Sequence, residues 1–165
     1  MNRRDIVIGA VVLLAIAGLI YWRQVSKKVS TQTVPETLSV EDKIEDKFKY
    51  QIPDDVEKAE LKDITGGDAS AISTRKFENN KFTSTILADL PDPAPGSFYQ
   101  GWLVKGEEGK DGYAILSLGK LTVAKGGWML DYSSTTNKTD YSKVLITLEK
   151  KFDTTPETKV LEGSF

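Results

Sequence analysis

The sequence predicts an all-β fold, a β-sandwich, with a small barrel as the alternative, of about seven to nine short strands, preceded by one N-terminal transmembrane helix and a polar linker. Three observations predict it. From about Lys58 to the C-terminus, apolar and polar residues alternate over strand-length runs, and no long stretch keeps a helical period. Glycine, proline and asparagine clusters separate these runs at short intervals, the punctuation of an antiparallel domain. Ahead of them, Ile6 to Trp22 is one uncharged apolar run.

Residues 1–5, MNRRD, read as a cytoplasmic stub, and 6–22, IVIGAVVLLAIAGLIYW, as a signal anchor. Its 17 residues make a helix of roughly 25 Å, at the short end of what crosses a bilayer core. Tyr21 and Trp22 stand where an interfacial aromatic belt belongs, and Arg23 closes the span. A stub this short suits an N-in, C-out orientation in the cell membrane, with everything after the span extracytoplasmic. The alternative is a secreted structural or adhesive domain, released by signal-peptide cleavage after Ala17 at the small-residue site Ala15-Ile16-Ala17. The apolar run continues five residues past that site, which favours the retained anchor.

Residues 23–57 are rich in Ser, Thr, Lys, Glu and Asp and read as a polar linker. Within it, EDKIEDKFK places Glu45 four residues before Lys49, enough at most for a short solvated helix in a charged spacer. The β-domain spans 58–165. KAELKDI ends at the turn TGGD. ASAISTRKF and KFTSTILADL flank Glu78-Asn79-Asn80, a hairpin signal because Asn tolerates positive φ. After the proline-broken loop PDPAPG come SFYQGWLVK, the loop GEEGKDG, then YAILSLG, KLTVAKG, GWMLDYSS, the loop TTNKTD, YSKVLITLEKK and TKVLEGSF.

Alternation assigns faces. Phe98, Gln100, Trp102 and Val104 share one, Val144, Ile146 and Leu148 another, and Trp128, Leu130 and Tyr132 a third. Trp102 and Phe98 are expected in the core, with Tyr99 and Leu103 on the opposite side and Tyr99, with its polar tip, as a surface contact. Gly101 marks a bulge or a close packing contact.

With 22 Lys+Arg against 24 Asp+Glu the net charge is −2. Arg3, Arg4, Arg23, Lys27 and Lys28 face only Asp5 in the first 28 residues, so the remainder is acidic. An acidic body without a basic stripe excludes nucleic acid as the partner, because phosphate neutralisation needs clustered cations. The absence of Cys and His excludes thiol catalysis, disulfides, Cys/His metal centres and His-dependent triads. Carboxylates gather at Asp54-Asp55, at Asp89 with Asp92, and at Glu107-Glu108 with Asp111, all in turns where solvent keeps them ordinary surface charges. GEEGKDG could take Ca²⁺ through Glu107, Glu108 and Asp111, but it lacks an EF-hand pattern. Ser70, Ser73, Ser133 and Ser134 have neither a His base nor a Ser-x-x-Lys motif. Asn137-Lys138-Thr139 matches a glycosylation sequon, relevant only in a secretory host. No enzyme, cofactor or metal is expected.

Three stretches, DLPDPAPGSFYQGWLV, KVLITLEKKFDTTPET and KVLEGSF, together resemble the C-terminal extracytoplasmic domain of the bacterial anti-sigma-K factor family. The positions carrying the likeness are Leu90-Pro91, the strand Tyr99-Gln100-Gly101-Trp102-Leu103, then Thr147 and Glu149, and Pro156. The resemblance covers about the last half of the chain and treats these residues as structural. It implies a β-sandwich outside the membrane, an envelope protein as partner, and a place in envelope signalling or sigma-factor regulation. The zinc-motif cytoplasmic domain with which that family grips its sigma factor has no counterpart in the stub 1–5.

Overall fold

The alternating runs become nine strands in the computed structural model, which describes residues 38–165. They are β1 (Glu57–Asp63), β2 (Ser70–Glu78), β3 (Lys81–Asp89), β4 (Phe98–Lys105), β5 (Ala114–Lys120), β6 (Thr122–Ala124), β7 (Gly127–Ser134), β8 (Lys143–Glu149) and β9 (Thr158–Ser164). The stub 1–5, the expected span 6–22 and the linker as far as 37 lie outside the described residues. Among the described residues no helix is long and apolar enough to cross a membrane.

All pairings are antiparallel, and the strands form one sheet in the order β5-β4-β8-β9-β1-β2-β3-β7-β6. The mostly-β expectation holds. The sandwich does not: in place of two facing sheets there is a single sheet, nearly closed on itself. Strands β5 and β6 occupy its opposite edges yet are separated only by Leu121, which is buried. Sandwich and barrel share a period-2 pattern, because either encloses one face of each strand.

The enclosed face carries Leu61, Phe82, Ile86, Leu103, Ile146 and Leu161, all fully buried in one apolar cluster. Small residues make room for the curl. At Gly101 a Cβ would come within 2.8 Å of Ile86 Cδ1 and 3.3 Å of Leu130 Cδ1, and the β4–β5 register shifts between Gly101 and Trp102. The expected bulge and the expected close contact therefore coincide. At the β2–β3 turn Asn79 and Asn80 have φ of 50° and 60°, the left-handed pair that a two-residue hairpin needs. Near the barrel end formed by the N-terminus of β1, Arg75 is buried, donates to Glu57 Oε2 at 2.7 Å and lies 3.9 Å from the Phe165 ring centre.

The charged spacer requires correction. Val40–Phe48 is a helix, α1, opened by a capping box in which Asp42 N–H donates to Ser39 Oγ at 3.1 Å and Ser39 N–H donates to Asp42 Oδ2 at 3.2 Å. It ends at Lys49, whose left-handed φ of 48° turns the chain so that Tyr50 N–H also reaches the Glu45 carbonyl, at 3.2 Å. Val40, Ile44 and Phe48 recur every fourth residue, so the charges that suggested a spacer all fall off one stripe. Ile44, Phe48 and Ile52 form a second apolar cluster with Ile72 of β2 and Leu87 of β3, on the outer face of the sheet. Gly127 lies against the Phe48 ring so closely that any Cβ there would overlap it. Residues from Leu38 onward thus belong to one compact unit with the barrel.

Phe48→Ala is expected to lower stability by about 3 kcal/mol in urea denaturation, the cost of emptying a buried aromatic site. A helix that served only as a solvated spacer would leave the midpoint unchanged.

Candidate functional site

On the register of β4, Gln100 and Trp102 point away from the barrel interior, and the facing residues of β8 on that side are Leu145, Thr147 and Glu149. This outer layer is nonetheless buried: Trp102 is 1% exposed, and Gln100, Thr147 and Glu149 are fully enclosed. Beside it runs the β8–β9 loop, Lys150–Glu157. Trp102 Nε1–H donates to Thr147 Oγ1 at 2.7 Å, and Gln100 Nε2 donates to Ser117 Oγ at 3.0 Å and to the Asp153 carbonyl at 3.3 Å.

Carboxylates brace that loop by accepting from its backbone. Glu157 N–H donates to Glu149 Oε1 at 3.0 Å, while the Glu157 side chain accepts from Lys150 N–H at 3.0 Å and Lys151 N–H at 3.2 Å. Asp153 Oδ1 accepts from Thr155 N–H at 2.8 Å. Two buried acceptors of the layer, Gln100 Oε1 and Glu149 Oε2, have no hydrogen-bond partner. Phe98, half-buried at the margin, lies 3.8 Å below Lys120 Nζ and 6.4 Å from the exposed Phe152 ring.

The end of this loop and the β4–β5 loop enclose a cleft of about 310 Å³ on the outer face of the sheet. Val104, Ile115, Leu145, Tyr113 and Pro156 supply its apolar lining. Its rim carries both signs of charge: Lys159 lies 3.4 Å from Glu108, and Lys143 lies 4.0 Å from Glu162. These pairs are solvated and contribute little stability. They leave charge of either sign ready to meet a ligand, and the volume lies at the lower limit of small-ligand pockets.

The nine residues singled out in the sequence divide between two places. Gln100, Trp102, Thr147 and Glu149 meet in the outer layer, with Pro156 at the cleft wall. Leu90 and Tyr99 are buried in the interior cluster beside the exposed Pro91, and Leu103 lies within it. Tyr99 is not a surface contact: it is 4% exposed, its hydroxyl donates to the Pro91 carbonyl at 3.1 Å, and its ring meets Trp128 edge-on at 5.4 Å. Trp128 Nε1–H completes the group by donating to the Leu90 carbonyl at 3.2 Å. Burial, and then the charge of Asp92, pushes the Tyr99 phenol up from its usual range.

Tyr113, Lys143, Lys159 and the loop-bracing Glu157 were not legible in the sequence, since isolated residues in charged segments carry no period. Among the described residues no three carboxylates gather as a metal-holding group, Glu107, Glu108 and Asp111 included. Asp54 and Asp55 face Lys58 and Lys76, and Asp89 pairs with Lys47. Ser73 is buried inside the barrel, Ser134 Oγ accepts from Thr136 N–H, and Asn137 Oδ1 accepts from Thr139 N–H. Comparison with known protein families, with curated proteins and with solved structures gives no match.

Trp102→Ala should cost about 3–5 kcal/mol by denaturant titration, with Trp102→Phe retaining most of the packing and losing only about 1 kcal/mol with the Thr147 hydrogen bond. An unchanged melt for the alanine variant would place the ring in solvent.

Three aspartates contribute to the acid response. Hydrogen bonds from Lys76 to Asp55, from Thr65 to Asp63 and from Lys105 to Asp140 hold these carboxyls below the ordinary value of 3.8. A depressed carboxyl stabilises the fold fully above its unfolded value and loses that contribution as pH falls through its folded value. Stability should therefore stay level from neutral pH down toward 3.8 and decline below it. Asp140→Asn should be less stable than the parent at neutral pH and level with it in strong acid, a difference that salt diminishes.

Proposed function

We propose that this chain is a single-pass protein of the cell membrane that displays its barrel on the extracytoplasmic side as a non-catalytic binding or sensing domain. The apolar run 6–22 would hold it in the lipid bilayer, and an envelope protein would be its partner. The observation that carries the reading is the cleft between the β4–β5 and β8–β9 loops, with its apolar lining and its rim of both charges. That chemistry suits recognition of a surface segment with apolar and charged groups together. Its wall is a loop braced through backbone amides, a supporting role for carboxylates.

The resemblance to the extracytoplasmic domain of anti-sigma-K factors belongs to the same proposal. Five of the residues that carry it, Gln100, Trp102, Thr147, Glu149 and Pro156, lie in or beside this wall. It suggests a role in envelope signalling or sigma-factor regulation. The second reading, a secreted structural or adhesive domain, is favoured only by the cleavage-like Ala15-Ile16-Ala17.

External protease on intact spheroplasts should remove residues 38–165, and mass spectrometry should find Met1 on the membrane-retained fragment. Protection of the domain would overturn the topology, and a mature chain beginning at Gly18 would establish the secreted reading.

A further inference from the structure

A second cavity, of about 280 Å³, lies on the outer face of the sheet where the end of α1 meets the β6–β7 turn, and it shares no lining residue with the cleft described above. Its floor is apolar: Leu87 of β3 and Met129 of β7 are cross-strand partners, and Phe48 of α1 packs beside them. Two charged residues, Lys125 and Asp131, complete the lining. Lys125 stands in the turn, whereas Asp131 is four residues along β7 from Gly127, roughly 13 Å at ~3.3 Å per residue, so the charges enter from opposite ends of the floor. Among the described residues neither forms an ion pair. Lys125 Nζ lies 6.0 Å from the centre of the exposed Tyr50 ring, and Asp131 Oδ1 accepts from the Thr85 hydroxyl at 2.7 Å. At the rim of the cleft, by contrast, Lys143 and Lys159 are each matched to a glutamate. Lys125 also holds a left-handed φ of 49°, a conformation that glycine or asparagine adopts more readily, so the turn by itself does not select a lysine there.

We propose that this cavity binds a small zwitterion with an apolar body, the chemical class of a free dipeptide with aliphatic side chains. Charge complementarity selects this occupant. The ligand carboxylate meets Lys125, its ammonium meets Asp131, and its side chains cover Leu87, Met129 and Phe48. An apolar ligand alone would leave both charges unmet, and a simple anion or cation would answer one of them and leave the floor bare. The volume lies just below the ~300–1,000 Å³ of pockets for drug-sized ligands, which keeps the occupant small. The site stands on its own geometry: it depends neither on what the cleft binds nor on which side of a membrane the domain occupies.

The chain has two methionines, Met1 and Met129, so isotope-labelled methionine methyls give Met129 an NMR signal of its own, identified by its loss in Met129→Leu. Full-length protein is titrated with leucyl-leucine and with its N-acetyl and C-amide forms, probes that each lack one charge. Expected is a saturable shift of the Met129 signal with leucyl-leucine. Binding should be about tenfold weaker for either blocked form, and for leucyl-leucine itself in Lys125→Gln or Asp131→Asn, the loss of one charge-assisted contact. Both substituted residues are exposed, and a parent-like methyl spectrum before titration shows that a variant has folded. The blocked probes test the same two charges on the unaltered chain. No saturable shift by about 10 mM, equal affinity for the blocked forms, or unaltered affinity in either variant would overturn the assignment.

Discussion

Leu121 imposes the constraint on which the rest of the structure depends. It is the single residue between β5 and β6, and those strands form opposite edges of a nine-stranded sheet. A flat sheet of that width would separate its edges by about eight inter-strand spacings of ~4.8 Å. One residue spans 3.8 Å. The sheet must therefore curl until its margins nearly meet, and the inward side chains must be small where curvature is tightest. Gly101 and Gly119 stand in that region, with Leu130 Cδ1 near the space a Cβ would take at either.

Curling encloses one face of every strand and leaves the other to be covered separately. Over β2 and β3 the cover is α1, held by Ile44 and Phe48 and by ion pairs from Glu41 to Lys58 and from Lys47 to Asp89. Beside β4 and β8 it is the Lys150–Glu157 loop, which has little apolar surface and is held by carboxylates that accept from backbone amides. The two covers rest on different physics. The helix is bound by apolar area, which is insensitive to direction, whereas the loop is bound by directional hydrogen bonds. The directional cover is the one that shapes a cleft, because its carbonyls and amides must occupy defined positions to be satisfied.

Closed β-barrels support many unrelated roles, so the architecture by itself does not name one. What individualises this barrel is where its outer face is left uncovered and how its edges are finished. The cleft sets a charged rim around an apolar lining, and the Lys150–Glu157 loop that walls it also covers the buried polar layer with its two unpartnered acceptors. Strand β5 lies next to it through Ile115.

The sequence by itself determined the strands, the Asn79-Asn80 hairpin, the crowding at Gly101 and the sharing of a face by Phe98, Gln100, Trp102 and Val104. Each of these is local: alternation, φ preference and side-chain size act within a few residues. Period 2 says that two faces differ and carries no sign for which of them is enclosed. On β4 both faces are buried, so Trp102 and Tyr99 could not be sorted into inside and outside from their spacing. The helix stripe of Val40, Ile44 and Phe48 was present but masked by the charges around it, and only the apolar surface of Ile72 and Leu87 gives that stripe something to bury against. Closure of the sheet, the covering loop and the cleft were decided by tertiary structure. They rest on pairings between residues some 40 to 100 positions apart, such as Leu61 with Gly163 and Trp102 with Leu145, and no local preference encodes those partners.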